Sequence, residues 1–107
     1  MIVLSIDREA GKIRGFSVEG HARSAPHGED LVCAAVSMLA QSVLLGLHHH
    51  VKIGIDYDID EAAGRLTCRL PAEMAPEQYL KAEAVIETMV LGCQNLQETY
   101  PKYVRVK

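Results

Sequence analysis

Tryptophan is absent from this 107-residue chain and phenylalanine occurs once, so the core has to be built from aliphatic side chains. Cysteine occurs three times, an odd number with no C-x-x-C spacing. That argues against a disulfide framework and against a Cys-rich zinc site, and reduced thiols fit a cytoplasmic compartment. Basic charge is also scarce. Eleven Lys and Arg against fourteen Asp and Glu leave a net charge of −3, and the basic residues are scattered with no basic run, which argues against the basic face that nucleic acid requires. The first residues, MIVLSIDREAGK, have too short an apolar run and too early an acid for a signal peptide. The longest nearly apolar stretch, from Leu31 to Leu47, contains Ser37, Gln41 and Ser42 and falls short of a membrane span. These absences leave a chain of one-domain length, 1–107, expected in the cytoplasm without direct contact to nucleic acid or membrane.

What is present is a repeated alternation of hairpin and helix. Met1 to Ile6 and Ile13 to Glu19 are rich in β-formers, and between them Gly11 can take the positive φ of a tight turn. Val51, Ile53, Ile55, Tyr57 and Ile59 alternate with polar residues or glycine, as do Leu66, Cys68 and Leu70, which predicts a second hairpin with one apolar face. Acids on its first strand face arginines on its second and can pair across them. IDREAGKI (6–13) and IDEAAGRL (59–66) align without a gap, an echo that fits shared turn chemistry and is too short to establish a duplicated domain. A first helix is expected from Asp30, as N-cap, to about Gly46; it is apolar nearly all round, as if covered on most sides by the sheet and a second chain. A second is expected to start at Pro76, to carry Leu80, Ile86, Met89, Val90, Cys93 and Leu96 at helical spacing, and to stop at Pro101, before a last short strand over 103–107. The fold class is therefore α/β of the α+β type, β-β-α-β-β-α-β, one mixed sheet with two helices packed on it.

The three cysteines fall in three environments. Cys68 lies on the apolar face of a strand and Cys93 on the apolar stripe of the second helix, where a thiol is a small, inert hydrophobe. Cys33 is different: with Asp30 as N-cap it sits at N3, where unpaired amides and the positive dipole end favour a thiolate and can receive an oxyanion. Asp30, Cys33 and Ser37 share one stripe of that helix. A core residue in a run of small apolar positions is the competing reading of Cys33. His21 follows Gly20 at the end of the second strand, and the intervening loop is long enough to bring its imidazole over the helix start as base and acid. His27, closer in sequence but beside Pro26 and Gly28 in the same loop, is the rival base. His48, His49 and His50 have no acid or thiol at ligand spacing beside them and read as a helix end and linker.

In order and spacing, G-H-A at 20–22, G-x-D at 28–30 and V-C-A-A-V-S at 32–37 resemble the bacterial ribosomal-processing cysteine protease family. The likeness extends over nearly the whole chain, in length, in the order of elements and in the cysteine at the helix start. It implies a small homodimeric cysteine endopeptidase with no cofactor and no metal. The implied activity is removal of a short N-terminal extension from a large-subunit ribosomal protein precursor, cut after an aromatic residue, during ribosome maturation in Firmicutes and related bacteria. By motif, the resemblance assigns the nucleophile to Cys33 and the catalytic histidine to His21. It gives Gly20, Asp30 and Ser37 a site-shaping or substrate-binding role, and residues 23–29 a loop that reorganises around substrate. The alternatives to test against it are a non-enzymatic dimeric module that binds a ribosome-assembly partner and, less well supported, a thiol redox sensor without a resolving cysteine.

Overall fold

The computed structural model of the chain describes residues 1–20 and 27–107, with side chains from residue 31 onward in the second stretch. Strands β1 (Ile2–Glu9) and β2 (Lys12–Glu19) lead into helix α1 (His27–Gly46), then β3 (Asp56–Asp60), β4 (Arg65–Arg69), helix α2 (Pro76–Thr99) and β5 (Val104–Val106). The strands lie side by side as β3-β4-β2-β1-β5, with β5 parallel to β1 and the other pairs antiparallel. The mixed sheet with two helices is the arrangement the sequence predicts.

Register decides which face the helices take. Leu4 is paired with Val18 and Val18 with Leu66, while Ile6 is paired with Phe16 and Phe16 with Cys68. These rows join Val32, Val36, Ala40 and Leu47 of the first helical segment and Ala82, Ile86, Met89 and Cys93 of α2 in a single aliphatic core. The opposite face carries a hydroxyl row, Ser5, Ser17 and Thr67, and below it Asp7, Gly15 and Arg69 in register. Gly15 has no room for a Cβ, which would overlap the Cys68 carbonyl oxygen. Its bare backbone also leaves the way clear for Arg69 to reach across to Asp7, 3.6 Å away. The guanidinium thus meets Asp7 of β1 and not Asp56, the acid that faces it on β3 and that strand alternation predicts as its partner. Both groups are more than half exposed, so the pair adds little stability.

α2 starts at Pro76 as expected, with the Gln78 side chain accepting the Ala75 N–H at 3.1 Å. It is tied to the first hairpin by Tyr79, whose hydroxyl accepts the Ile13 N–H at 2.8 Å and donates to Glu83 at 3.0 Å. An Arg8–Glu87 ion pair at 2.7 Å adds a second, exposed tie.

Three expected boundaries move. Helix α1 starts at His27, three residues before Asp30, so Asp30 is inside its first turn and is not the N-cap. The chain has signals for the earlier start in Pro26 just before it and in the acids Glu29 and Asp30, which suit the positive end of a helix. Gly46 does not end the helix: its φ of −63° is helical, and the chain continues through one π-helical turn, Leu47–Val51, to a stop at Lys52, φ 61°. Burial of Leu47 and Val51 holds that extra turn in place against the glycine's poor helix propensity. The alternation from Val51 to Ile59 therefore yields a strand only at its end; Val51 and Ile53 are core residues outside any strand. The helical stretch Leu31–Val51 is also longer than expected, and by length and hydropathy alone its 21 residues suffice to cross a membrane. Here one side of it forms the core with the sheet and α2.

Candidate active site

Because α1 begins at His27, Cys33 is its seventh residue and stands in the second turn. Only the amides of the N-cap and the first three helical residues lack an intrahelical acceptor, so the Cys33 amide belongs to the helical ladder and the free donors are those of residues 27–29. The N3 placement expected from the sequence is thus corrected. Side chains on a helix tilt toward its N-terminus, so the thiol leans back toward the turn with the free amides. The macrodipole acts mainly within the first turn and assists a thiolate at Cys33 less than an N3 position would.

Cys33 is partly buried and packs against the core edge. It opens into a pocket of about 200 Å³ bounded by Gly20, Ser37, Gln41, Ile59 and Leu66. Three of the site residues expected from sequence, Gly20, Cys33 and Ser37, are therefore brought together. Gly20 holds a φ of 114°, donates its N–H to the Gly64 carbonyl at 3.0 Å and sits so close to Met1 that a Cβ would overlap the Met1 carbonyl oxygen. Only glycine fits there, and it fixes where the chain leaves β2 just before the next residue in sequence, His21. His21 and the loop over 23–26 lie outside the described residues, as do the side chains of His27 and Asp30. As the first residue of α1, His27 belongs to the helix and not, as expected, to the loop.

Gln41 escaped the sequence reading. Its amide donates to Ser37 Oγ at 2.9 Å, orienting the hydroxyl beside the thiol pocket. The signal was present: Asp30, Cys33, Ser37 and Gln41 continue one stripe at helical spacing. Ile59 was assigned to a covered apolar face, yet it is 44% exposed and borders the pocket.

Cys68 and Cys93 are buried and free, and burial pushes both thiols up to about 11, with the Asp56 charge adding to the effect at Cys68. At neutral pH they are protonated and inert. His48, His49 and His50 fall on the π-helical turn and are exposed, with the first two rings edge to face at 4.8 Å. This agrees with a helix end. Among the described residues no group of three or more His, Cys, Asp or Glu is placed to hold a metal ion.

Comparison with known proteins supplies the chemical frame. Residues 1–105 match the family model described as cysteine protease Prp. A protein of Bacillus subtilis (strain 168) named ribosomal processing cysteine protease Prp is 33% identical over 111 residues, covering 99% of this chain and 96% of that protein. One of the same name from Staphylococcus aureus is 28% identical over 112 residues, with 99% and 97% covered. Among solved structures, SMU.848 of Streptococcus mutans superposes with a TM-score of 0.84 at 29% identity, covering 100% of this chain and 96% of the other. The ribosomal processing protease Prp of S. aureus, solved with a substrate peptide, has a TM-score of 0.86 at 22% identity, with 100% and 98% covered, a likeness of fold.

Proposed function

The chain belongs to the cysteine protease Prp family, and from that premise we propose that Cys33 is its nucleophile and His21 its general acid and base. The substrate is the extended precursor of a large-subunit ribosomal protein, and the product is the protein without its extension. The carrying observation is the pocket that joins the only incompletely buried thiol of the chain to Gly20, the neighbour of His21 in sequence. The Cys33 thiol gives its proton to the His21 imidazole, and the sulfur attacks the scissile carbonyl, whose π electrons move to oxygen. Free amides of the turn before Cys33 receive that oxyanion. Collapse of the intermediate breaks the C–N bond as the imidazolium protonates the leaving amine, and a thioester remains. Water, giving a proton to the imidazole, attacks the thioester and releases the thiolate and the new C-terminus.

His27 is the weaker base. Positions six apart on a helix are separated by about 9 Å along the axis and do not share a face. Ser37, steadied by Gln41, and Gly20 shape the pocket; Asp30 contributes from the first turn. The chain works as one domain over 1–107, in the cytoplasm where the precursor is made, and as a homodimer. Support for the last comes from α1, whose exposed Leu31, Met38 and Leu45 recur at seven-residue spacing along one line.

Cleavage of the extended precursor is the test. Cys33→Ala should abolish it while the circular dichroism spectrum stays that of the folded protein. His21→Ala should do nearly the same and His27→Ala should not. Full activity in Cys33→Ala would refute the mechanism, and loss only in His27→Ala would move the base to that residue.

A further inference from the structure

The turn between β3 and β4 is closed by its own hydrogen bonds. Asp60 Oδ1 accepts the Ala63 N–H at 3.0 Å, and the Glu61 carbonyl accepts the Gly64 N–H at 3.3 Å. The Gly64 carbonyl accepts the Gly20 N–H at 3.0 Å, so the turn is bonded to the residue that ends β2 at the thiol pocket. One side chain of this turn has no part in the mechanism. Tyr57 and Ile59 pair with Cys68 and Leu66 on the helix side of the sheet, and Glu61 continues their alternation just beyond the strand. Glu61 is the only acid among the described residues that line the pocket with Cys33. It is exposed, and among the described residues its carboxylate has no hydrogen bond and no ion pair. Arg65 borders the same pocket, but its register with Asp60 and Glu19 assigns it to the opposite face of the sheet.

We infer that Glu61 sets a preference for lysine or arginine just after the scissile bond, on the amine side. The inference rests on the protease reading above and takes from it that the substrate is a ribosomal protein cut at Cys33. Charge complementarity supports it. A protein that holds RNA neutralises phosphates with Lys and Arg. Those residues belong to the mature body, which follows the cut, whereas the extension precedes it and is discarded. A free carboxylate on the rim of the thiol pocket therefore meets the half of the substrate that carries positive charge. Size agrees: the pocket of about 200 Å³ is smaller than a small-molecule site of about 300–1,000 Å³. It takes one residue and leaves the next ones to the rim, where Glu61 stands. The modest strength of such a contact also suits the role. An exposed ion pair biases which chain is cut, while a tight contact on the amine side would hold the mature product on the enzyme.

The experiment uses two synthetic precursor peptides that span the cut. They differ only in the residues that follow the first mature residue, lysine in one and glutamine in the other. Wild type is expected to favour the lysine peptide in kcat/KM by about two- to fivefold, the range of one exposed ion pair. Glu61→Gln should bring the ratio near one, and Glu61→Lys should take it below one. The ratio compares two substrates on one enzyme, so a general loss of activity cancels. Asp58→Asn removes an equal charge from the outward side of β3, away from the thiol pocket, and should keep the ratio. Equal rates in wild type, or an unchanged ratio in Glu61→Gln, overturn the inference and leave the protease reading standing. An equal fall of the ratio in Asp58→Asn also overturns it and assigns the preference to net charge. Cleavage of either peptide by Cys33→Ala would instead remove the protease reading.

Discussion

A thiol's environment separates Cys33 from Cys68 and Cys93. Burial moves the buried pair from 9.0 up to about 11, so both thiols are protonated at neutral pH as well as shielded from solvent. Iodoacetamide on the native protein at pH 7.5 should therefore modify Cys33 alone on a scale of minutes, as peptide mass mapping would read. Labelling of Cys68 or Cys93 at the same rate would contradict their burial. The same shifts have a consequence for stability. An unfolded chain gives up these protons at lower pH than the fold does, so their contribution is complete below about pH 9 and is lost as pH rises toward 11. The denaturation midpoint should fall over that window, and less steeply in a Cys68→Ala, Cys93→Ala variant. Gly20 is the other decisive residue. Gly20→Ala demands a positive φ of an L-residue and a clash with Met1; a loss of about 1–3 kcal/mol or more in chemical denaturation is expected, together with loss of cleavage.

At the scale of elements, α1 shows what was legible and what was not. Hydrophobic spacing located the body of both helices and the second hairpin, β-formers around Gly11 the first hairpin, and Pro76 the start of α2, because those signals are local. The ends of α1 were misplaced for two reasons. A good capping residue, Asp30, lies inside the first turn rather than before it. At the other end, the usual stop residue, Gly46, is overridden by the burial of Leu47 and Val51, a tertiary effect that no local signal encodes. The two readings of Gly46 predict opposite signs. In a left-handed cap, Gly46→Ala would destabilise. With φ −63° and the nearest new contact, Val85 Cγ1, at an ordinary 3.5 Å, it should stabilise by about 0.5–1 kcal/mol in thermal or chemical unfolding. β3 was misread for a related reason: alternation gives the face of a strand but not its place in the sheet, and at the edge the inward residues Tyr57 and Ile59 stay exposed. The candidate site was legible as a stripe, Cys33 with Ser37, while its link to Gln41 and to the β3 groove needed the packed structure.

For the whole molecule, the sheet and α2 cover one side of α1, β3 borders a second with the groove between, and a third carries Leu31 and Met38 in the open. If that third side joins two copies, Met38→Glu should shift sedimentation equilibrium from dimer to monomer; an unchanged mass would place the interface elsewhere. The proposed mechanism otherwise rests on one sulfur atom, that of Cys33, at the edge of the core. Its most direct test is an acid quench of the enzyme during turnover of the precursor peptide, followed by intact mass. Expected is a thioester adduct equal to the extension peptide less one water, mapped to Cys33 and absent from Cys33→Ala. Product formation by Cys33→Ala at the wild-type rate, or an adduct on another residue, would contradict it.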